Sequence, residues 1–139
     1  MEWFVETAAV NMLKDEVKKP EYVDVENLYV LASTGALSGT AFVAKCDGVP
    51  VGALGGIVSP NLFNPSITIV TEVFWYVLPE YRNTRAGLML LQAYGEACEK
   101  VADESSLSLL VTSQVNIKSI ERKGYKLCEH AFRREHRRT

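Results

Sequence analysis

Between residues 72 and 91 the chain reads EVFWYVLPEYRNTRAGLMLL, and two kinds of chemistry-bearing residue fall within that stretch. Glu72 is an acid early in an otherwise apolar strand, TEVFWYVL. Burial disfavours the charged carboxylate and raises its pKa toward neutrality, which suits a general base. The competing reading of Glu72 is a solvent-facing acid at a strand edge, or one paired with an arginine. Further along, Arg82 and Arg85 lie in a short polar loop after Pro79, and an apolar helical pattern begins at Ala86-Gly87. A helix N-terminus leaves backbone N–H groups unpaired and carries about half a positive charge, so it is a ready phosphate site. Gly87 has no side chain and Ala86 a minimal one, which lets an anion approach the backbone, and Arg85 can add charge-assisted bonds. Against this stands an ordinary strand-to-helix connection with solvated arginines, in which Gly87 serves helix–sheet packing. The loop is neither GxxxxGK(S/T) nor GxGxxG, so neither nucleotide-binding fingerprint is present.

These residues need a strand and a helix to hold them. ITIVTEVFWYVL predicts a long strand, and Asn83 or Thr84 can cap the helix that follows. That helix carries Leu88, Leu91, Tyr94, Cys98 and Val101 on one stripe, a pattern for lying against a sheet. Upstream, Val5, Ala8, Ala9, Met12, Leu13 and Val17 predict a helix from residue 5 to about 19, closed by Pro20. A second short helix is expected from Val25 to Ala36, with Leu28, Leu31 and Ala32 on one face. In TAFVAKCDGVPVGALGGIVSP, Asp47-Gly48 between two apolar runs is a strong hairpin signal. Gly52, Gly55 and Gly56 on the returning strand mark close packing or a bulge. Downstream, SLSLLVTS predicts a strand. Ser113 can cap a short helix through Arg122, Gly124 ends it with positive φ, and YKLCEHAFRRE predicts a last strand. The order helix, helix, hairpin, strand, helix, strand, helix, strand gives a mixed sheet of the α/β (α+β) class. The link between TEVFWYVL and SLSLLV is long enough for a right-handed parallel crossover.

The bulk properties exclude several function classes. A chain of 139 residues is one domain by size and long enough for a real core. Its net charge of -2 sets up no global field toward nucleic acid or membrane. The basic C-terminal FRREHRRT reads as a solvated tail; a nucleic-acid role for it runs against the chain's net acidity. Cys46, Cys98 and Cys128 are odd in number and widely spaced, a poor disulfide framework and a poor zinc site, so the reading is a reducing cytoplasm. His130 and His136 read as surface residues rather than metal ligands. MEWFVETAAV is no signal peptide, and no stretch reaches the ~20 apolar residues that span a bilayer.

With these elements in order, a resemblance emerges. VLPEYRNTRAGLMLL resembles the V-x-P-x-(Y/F)-R-(G/N)-x-(G/R)-x-(G/A)-x-x-L-(L/M) segment of the GNAT superfamily of acetyl-CoA-dependent N-acetyltransferases. IERKGYKLCEH is similar to that family's Y-E-K-x-G-(F/Y) segment, and FVAKCDGVPVGAL to its D-G hairpin. The three occur in family order and cover nearly the whole chain, most weakly in residues 1–40; the short chain also resembles compact phage-encoded and bacterial members. The resemblance implies a single 1–139 N-acetyltransferase domain with a mixed, mostly antiparallel twisted sheet of about six strands. It implies helices on both faces and a parallel central strand–helix–strand unit. It implies acetyl-CoA as co-substrate, an amine acceptor and no metal, and leaves a homodimer open. Arg82, Asn83, Thr84, Arg85, Ala86 and Gly87 then fall on the loop that cradles the coenzyme A pyrophosphate. Val77 and Leu78 fall on the strand end whose backbone pairs with the pantetheine amides. Four departures stand out. Arg85 replaces the first loop glycine; Ile120 stands where many members carry a proton-donating tyrosine. The asparagine that starts that helix falls on Ser113, unless the helix is shifted and Asn116 serves. The seventh strand is missing or supplied by the tail.

Making an amide from a thioester needs a neutral amine, and a lysine-type amine has a pKa near ~10, so a base or a desolvated site must help. Glu72 is the candidate, and the resemblance implies a glutamate at this strand position. Trp75 reads as core, while Tyr76 or Tyr125 are candidates for the missing leaving-group acid. No Cys or Ser sits beside a base as an activated nucleophile, so direct transfer to a primary amine in a ternary complex is expected. The rivals are a catalytically degenerate fold that binds coenzyme A or a protein, and a nucleic-acid-associated protein acting through the tail.

Overall fold

The computed structural model describes residues 24–110 and 113–136. The helix expected over residues 5–19 lies outside them, as does the extreme C-terminus.

The first described helix, α1, runs Val25–Leu37 and starts on Asp24, whose carboxylate accepts from the amides of Glu26 and Asn27 at 3.0 and 3.5 Å. This side-chain cap satisfies two of the donors that a helix start leaves orphaned. Ala32 is fully buried on it, and Leu31 is partly buried. Strand β1, Ala41–Cys46, and strand β2, Val49–Pro60, form the expected hairpin around Asp47 and Gly48, with φ of 51° and 81°. Two consecutive positive φ values define the tight turn whose twist matches that of the strands, which explains Asp-Gly there. Strand β3, Thr68–Val77, returns antiparallel to β2. A single 3-10 turn, Pro79–Tyr81, then leads through a short loop into α2, Ala86–Val101. Strand β4, Glu104–Ser106, and a five-residue helix α3, Ile117–Glu121, complete the described elements.

The sheet order is β1-β2-β3-β4, with β3 and β4 parallel and the other pairs antiparallel. The β3–α2–β4 crossover is the expected parallel strand–helix–strand unit. Helix α2 covers one face, burying Leu90, Leu91, Tyr94 and Cys98 against Leu54, Val70 and Val77. Alternation along the strands sends Val51, Ala53, Phe74 and Tyr76, all buried, to the opposite face. There α1 packs, with Gly35 against Ala41 and the Gly56 carbonyl. The class and the two-faced layering are as expected.

Several details differ. Among the described residues there are four strands rather than about six. Of the strand expected in SLSLLVTS, only Ser106 is paired among the described residues: β4 is the shorter Glu104–Ser106, and its parallel ladder with β3 stops at Thr71–Ser106. The last strand expected in YKLCEHAFRRE is exposed and irregular over 126–136. The apolar stripe of α2 is rotated from the expected one: Leu88 and Val101 are 44% and 42% exposed, and Leu90 takes the buried position. Asn116, not Ser113, caps α3, accepting from the Lys118 amide at 2.9 Å. Gly124 does follow that helix with φ of 96°, as expected.

Candidate active site

The site grows out of an irregularity in β3. Gly55 pairs with Phe74, whereas the next residue, Gly56, pairs with Glu72, so Val73 is an extra residue on β3. Such a bulge reverses which way the following backbone groups point. Glycine is needed opposite it: a Cβ on Gly55 would overlap the Phe74 ring, and one on Gly56 would lie 2.9 Å from the Tyr94 hydroxyl. Before the bulge, β3 faces β4; the Thr68 amide donates to Asp103 Oδ2 and its carbonyl accepts from the Asp103 amide, both at 2.9 Å. After it, the Leu78 amide donates to the Val51 carbonyl at 2.8 Å. By strict alternation Phe74 and Tyr76 also face β2, while Val73, Trp75 and Val77 turn their backbone groups outward. The parallel ladder has ended by then, and the chain after Ser106 parts from β3. Among the described residues the result is an open strand edge from residue 73 to 77 that can pair with an extended, amide-bearing ligand.

Side chains hold this opening at its vertex. The Tyr94 hydroxyl donates to the Ser106 carbonyl at 3.1 Å. Glu72, partly buried, accepts from the Ser108 amide at 3.5 Å. Burial pushes the Tyr94 phenol well above its ordinary pKa, with Cys98 and the charge of Glu72 adding to the effect, so the phenol keeps its proton and remains a donor.

At the other end, the open edge runs into the N-terminus of α2. The Ala86 amide is taken by Thr84 Oγ1 at 3.3 Å and the Met89 amide by the Arg85 carbonyl at 2.9 Å. Gly87 and Leu88 have amides without an intrahelical acceptor, as a first turn must. A Cβ on Gly87 would touch only Val77 Cγ2, at 3.9 Å, and its φ is not positive. Neither packing nor backbone conformation therefore demands this glycine. What its bareness provides is open space above a helix N-terminus, the geometry suited to an anion. Arg85 is the N-cap residue itself and is exposed, as are Asn83 and Thr84. Thr84 does take part in the cap, though through the loop rather than as the N-cap residue.

The remaining candidates divide. Val77 presents its backbone to the open edge. Leu78 is committed: its amide goes to Val51 and its carbonyl accepts from the Tyr81 amide at 2.9 Å. Arg82 was expected on the anion, but its Nε donates to the Val77 carbonyl at 2.9 Å and its guanidinium lies 5.2 Å above the Tyr76 ring. Tyr76 is 1% exposed beneath it, too buried to serve as a proton donor at the opening. Tyr125 is raised in pKa chiefly by burial, and its hydroxyl lies beside Gly95 on the α2 face. Ile120 is buried in the core among Leu90, Leu91 and Tyr94. Ser113 and Asn116 are exposed, Ser113 Oγ accepting from the Val115 amide at 3.3 Å. The glycines at 55 and 56 signalled close packing or a bulge, but sequence reasoning did not place the extra residue at Val73, nor the bracing contacts of Tyr94 and Glu72. Among the described residues no cluster of His, Cys, Asp or Glu is placed to hold a metal ion, and no helix is long and apolar enough to cross a membrane.

The model of the acetyltransferase (GNAT) family matches residues 6–122, and the chain belongs to that family. No curated protein sequence matches the chain. Among solved structures, a transcriptional regulator from Bacillus halodurans C-125 superposes with a TM-score of 0.70 at 19% identity, covering 98% of this chain and 95% of that one. An aminoglycoside acetyltransferase from an uncultured soil metagenomic sample, solved with sisomicin, gives 0.68 at 16% identity, covering 98% and 88%. An aminoglycoside N-acetyltransferase solved with CoA gives 0.55 at 20% identity, covering 70% and 75%. At these identities the structures share the fold.

Proposed function

We propose that this chain is a single-domain N-acetyltransferase that moves acetyl from acetyl-CoA to a primary amine by direct transfer in a ternary complex. The observation that carries this reading is the continuity of the open β3 edge with the bare N-terminus of α2. One surface offers outward backbone groups for a pantetheine arm and unpaired amides for a pyrophosphate. Glu72 stands at the far end of that edge, where the arm's thioester would lie. It accepts the proton that leaves the ammonium, and the freed nitrogen lone pair attacks the thioester carbon. The C–S bond breaks to release coenzyme A thiolate, and the nitrogen's second proton passes to solvent or to that thiolate to leave the neutral amide. With Ile120 and Tyr76 buried, the thiolate leaves without an acid from either position; a pKa near ~8.5 makes it a tolerable leaving group at neutral pH. Family membership and the CoA-bound fold neighbour support the reading. The unpaired thiols of Cys46, Cys98 and Cys128 suit a reducing cytoplasm.

Acetyl-CoA should raise the melting temperature by mass-action linkage. Gly87→Glu should abolish the shift by placing bulk and negative charge where phosphate sits. An amine panel headed by aminoglycosides, the acceptor class in the names of two fold neighbours, with thiol release as readout, then identifies the acceptor. No thermal shift at millimolar acetyl-CoA would end this reading. Binding without thiol release across the panel would favour a coenzyme-binding module, the reading that Arg85 in the loop and the buried Ile120 support.

A further inference from the structure

Arg82 bends back onto the strand it follows, and two of its contacts there hold the guanidinium against the protein itself. Its Nε donates to the Val77 carbonyl at 2.9 Å, and its guanidinium carbon lies 5.2 Å from the centroid of Tyr76. Tyr76 is almost wholly buried, so it is a fixed platform for the cation. The Val77 carbonyl is an outward group of the open edge, and it is the last one before the chain turns. Arg82 therefore ties the edge to the loop at the point where they meet. The short closures from Tyr81 to Leu78 at 2.9 Å and from Arg82 to Pro79 at 3.3 Å fold the backbone between them.

We infer that Arg82 is a positioning residue: its guanidinium fixes the α2 N-terminal amides relative to the open edge of β3, and its charge is not the counter-charge of the bound phosphate. The inference rests on the acetyl-CoA reading above. Geometry makes it sharp. In arginine the Nε hangs on Cδ, and in glutamine the Nε2 hangs on the same atom, so glutamine can reach the Val77 carbonyl without any charge. Lysine keeps the charge, but its ammonium lies one atom further out and lacks the planar donor that both bonds and stacks.

The test compares Arg82→Gln, Arg82→Lys and Arg82→Ala by acetyl-CoA Kd at low and high salt, with the melting temperature of each ligand-free protein as the check on folding. Positioning predicts that glutamine stays close to wild type. Lysine and alanine should bind at least about tenfold more weakly, the scale of one lost hydrogen bond to a charged group. The salt dependence of the glutamine variant should match wild type, because no phosphate ion pair has been removed. Turnover should show the same effect in KM for acetyl-CoA, with kcat unchanged; a purely structural role would move the melting temperature and not Kd. Lysine binding as well as or better than glutamine, a flatter salt dependence in glutamine, or wild-type affinity in all three overturns the inference while leaving the acetyl-CoA reading intact. Failure of the wild type to bind acetyl-CoA overturns both. If the lysine variant does not fold, glutamine against alanine decides the matter: equal affinities overturn it.

Discussion

A carboxylate held by a backbone amide at the mouth of an opening has little orientational freedom, and orientation is much of what a general base supplies. Glu72 is in that position, bonded to the Ser108 amide. Glutamine in its place keeps an oxygen acceptor for that amide, so Glu72→Gln should fold and bind acetyl-CoA almost as wild type. Its chemical step should slow by about 100-fold or more, the usual contribution of a lost acid–base group. The rising limb of kcat/KM against pH should also move toward the amine's own pKa. Near wild-type turnover across the pH range would make Glu72 a bracing residue only. Burial acts differently on Cys98, whose thiol is pushed up in pKa chiefly by desolvation. The folded state then keeps that proton to higher pH than the unfolded chain, so stability is complete below the ordinary thiol value of about 8.5 and falls as pH rises past it. Cys98→Ala should flatten the decline in melting temperature just above that value; an unchanged slope would assign the decline elsewhere. At this scale the sequence was informative about residue types and silent about partners. Arg82 reads as an anion ligand in the loop, and nothing in the letters says that an arginine five residues after a strand end also bends back onto it.

Elements were easier to read than their ends. The hairpin at Asp47-Gly48 was legible because two positive φ values all but require those residues, and β3 was legible from its length and composition. The end of the β3–β4 ladder was not, since it follows from one extra residue, Val73, which changes no hydrophobic pattern. The start of SLSLLVTS has a strand composition, but after Ser106 its residues 107–110 meet a partner whose backbone has turned away. Helix α2 offers a test at this scale, because Gly87 is its second residue and has room for a methyl group. Gly87→Ala should stabilise the ligand-free protein by up to about 1 kcal/mol through helix propensity. The same methyl group should shrink the thermal shift caused by acetyl-CoA, since it stands between the anion and the amides. A variant that melts higher and binds acetyl-CoA as well as wild type would show that no phosphate comes close to that amide.

For the molecule as a whole, the order of elements from α1 to α3 and the two-faced sheet were legible, because periodicity and connection length leave few ways to cover a sheet. The irregular course of 126–136 was not, since alternation in YKLCEHAFRRE signals a strand only if a partner edge is available. The thiols report on this arrangement: Cys46 and Cys128 are exposed and Cys98 is buried. A thiol reagent should therefore modify two groups in the native protein and the third only on unfolding; three fast reactions would contradict the packing of α2 on the sheet. The bulge also carries a consequence for time as well as space. In hydrogen exchange, the amides of Phe74, Tyr76 and Leu78, tied to β2, should persist far longer than those of Trp75 and Val77 between them. Such a two-residue rhythm of slow and fast along one strand is the signature of a sheet with one side unoccupied. Addition of acetyl-CoA should slow the fast members selectively, so that the rhythm fades and the strand exchanges as though it had gained a neighbour.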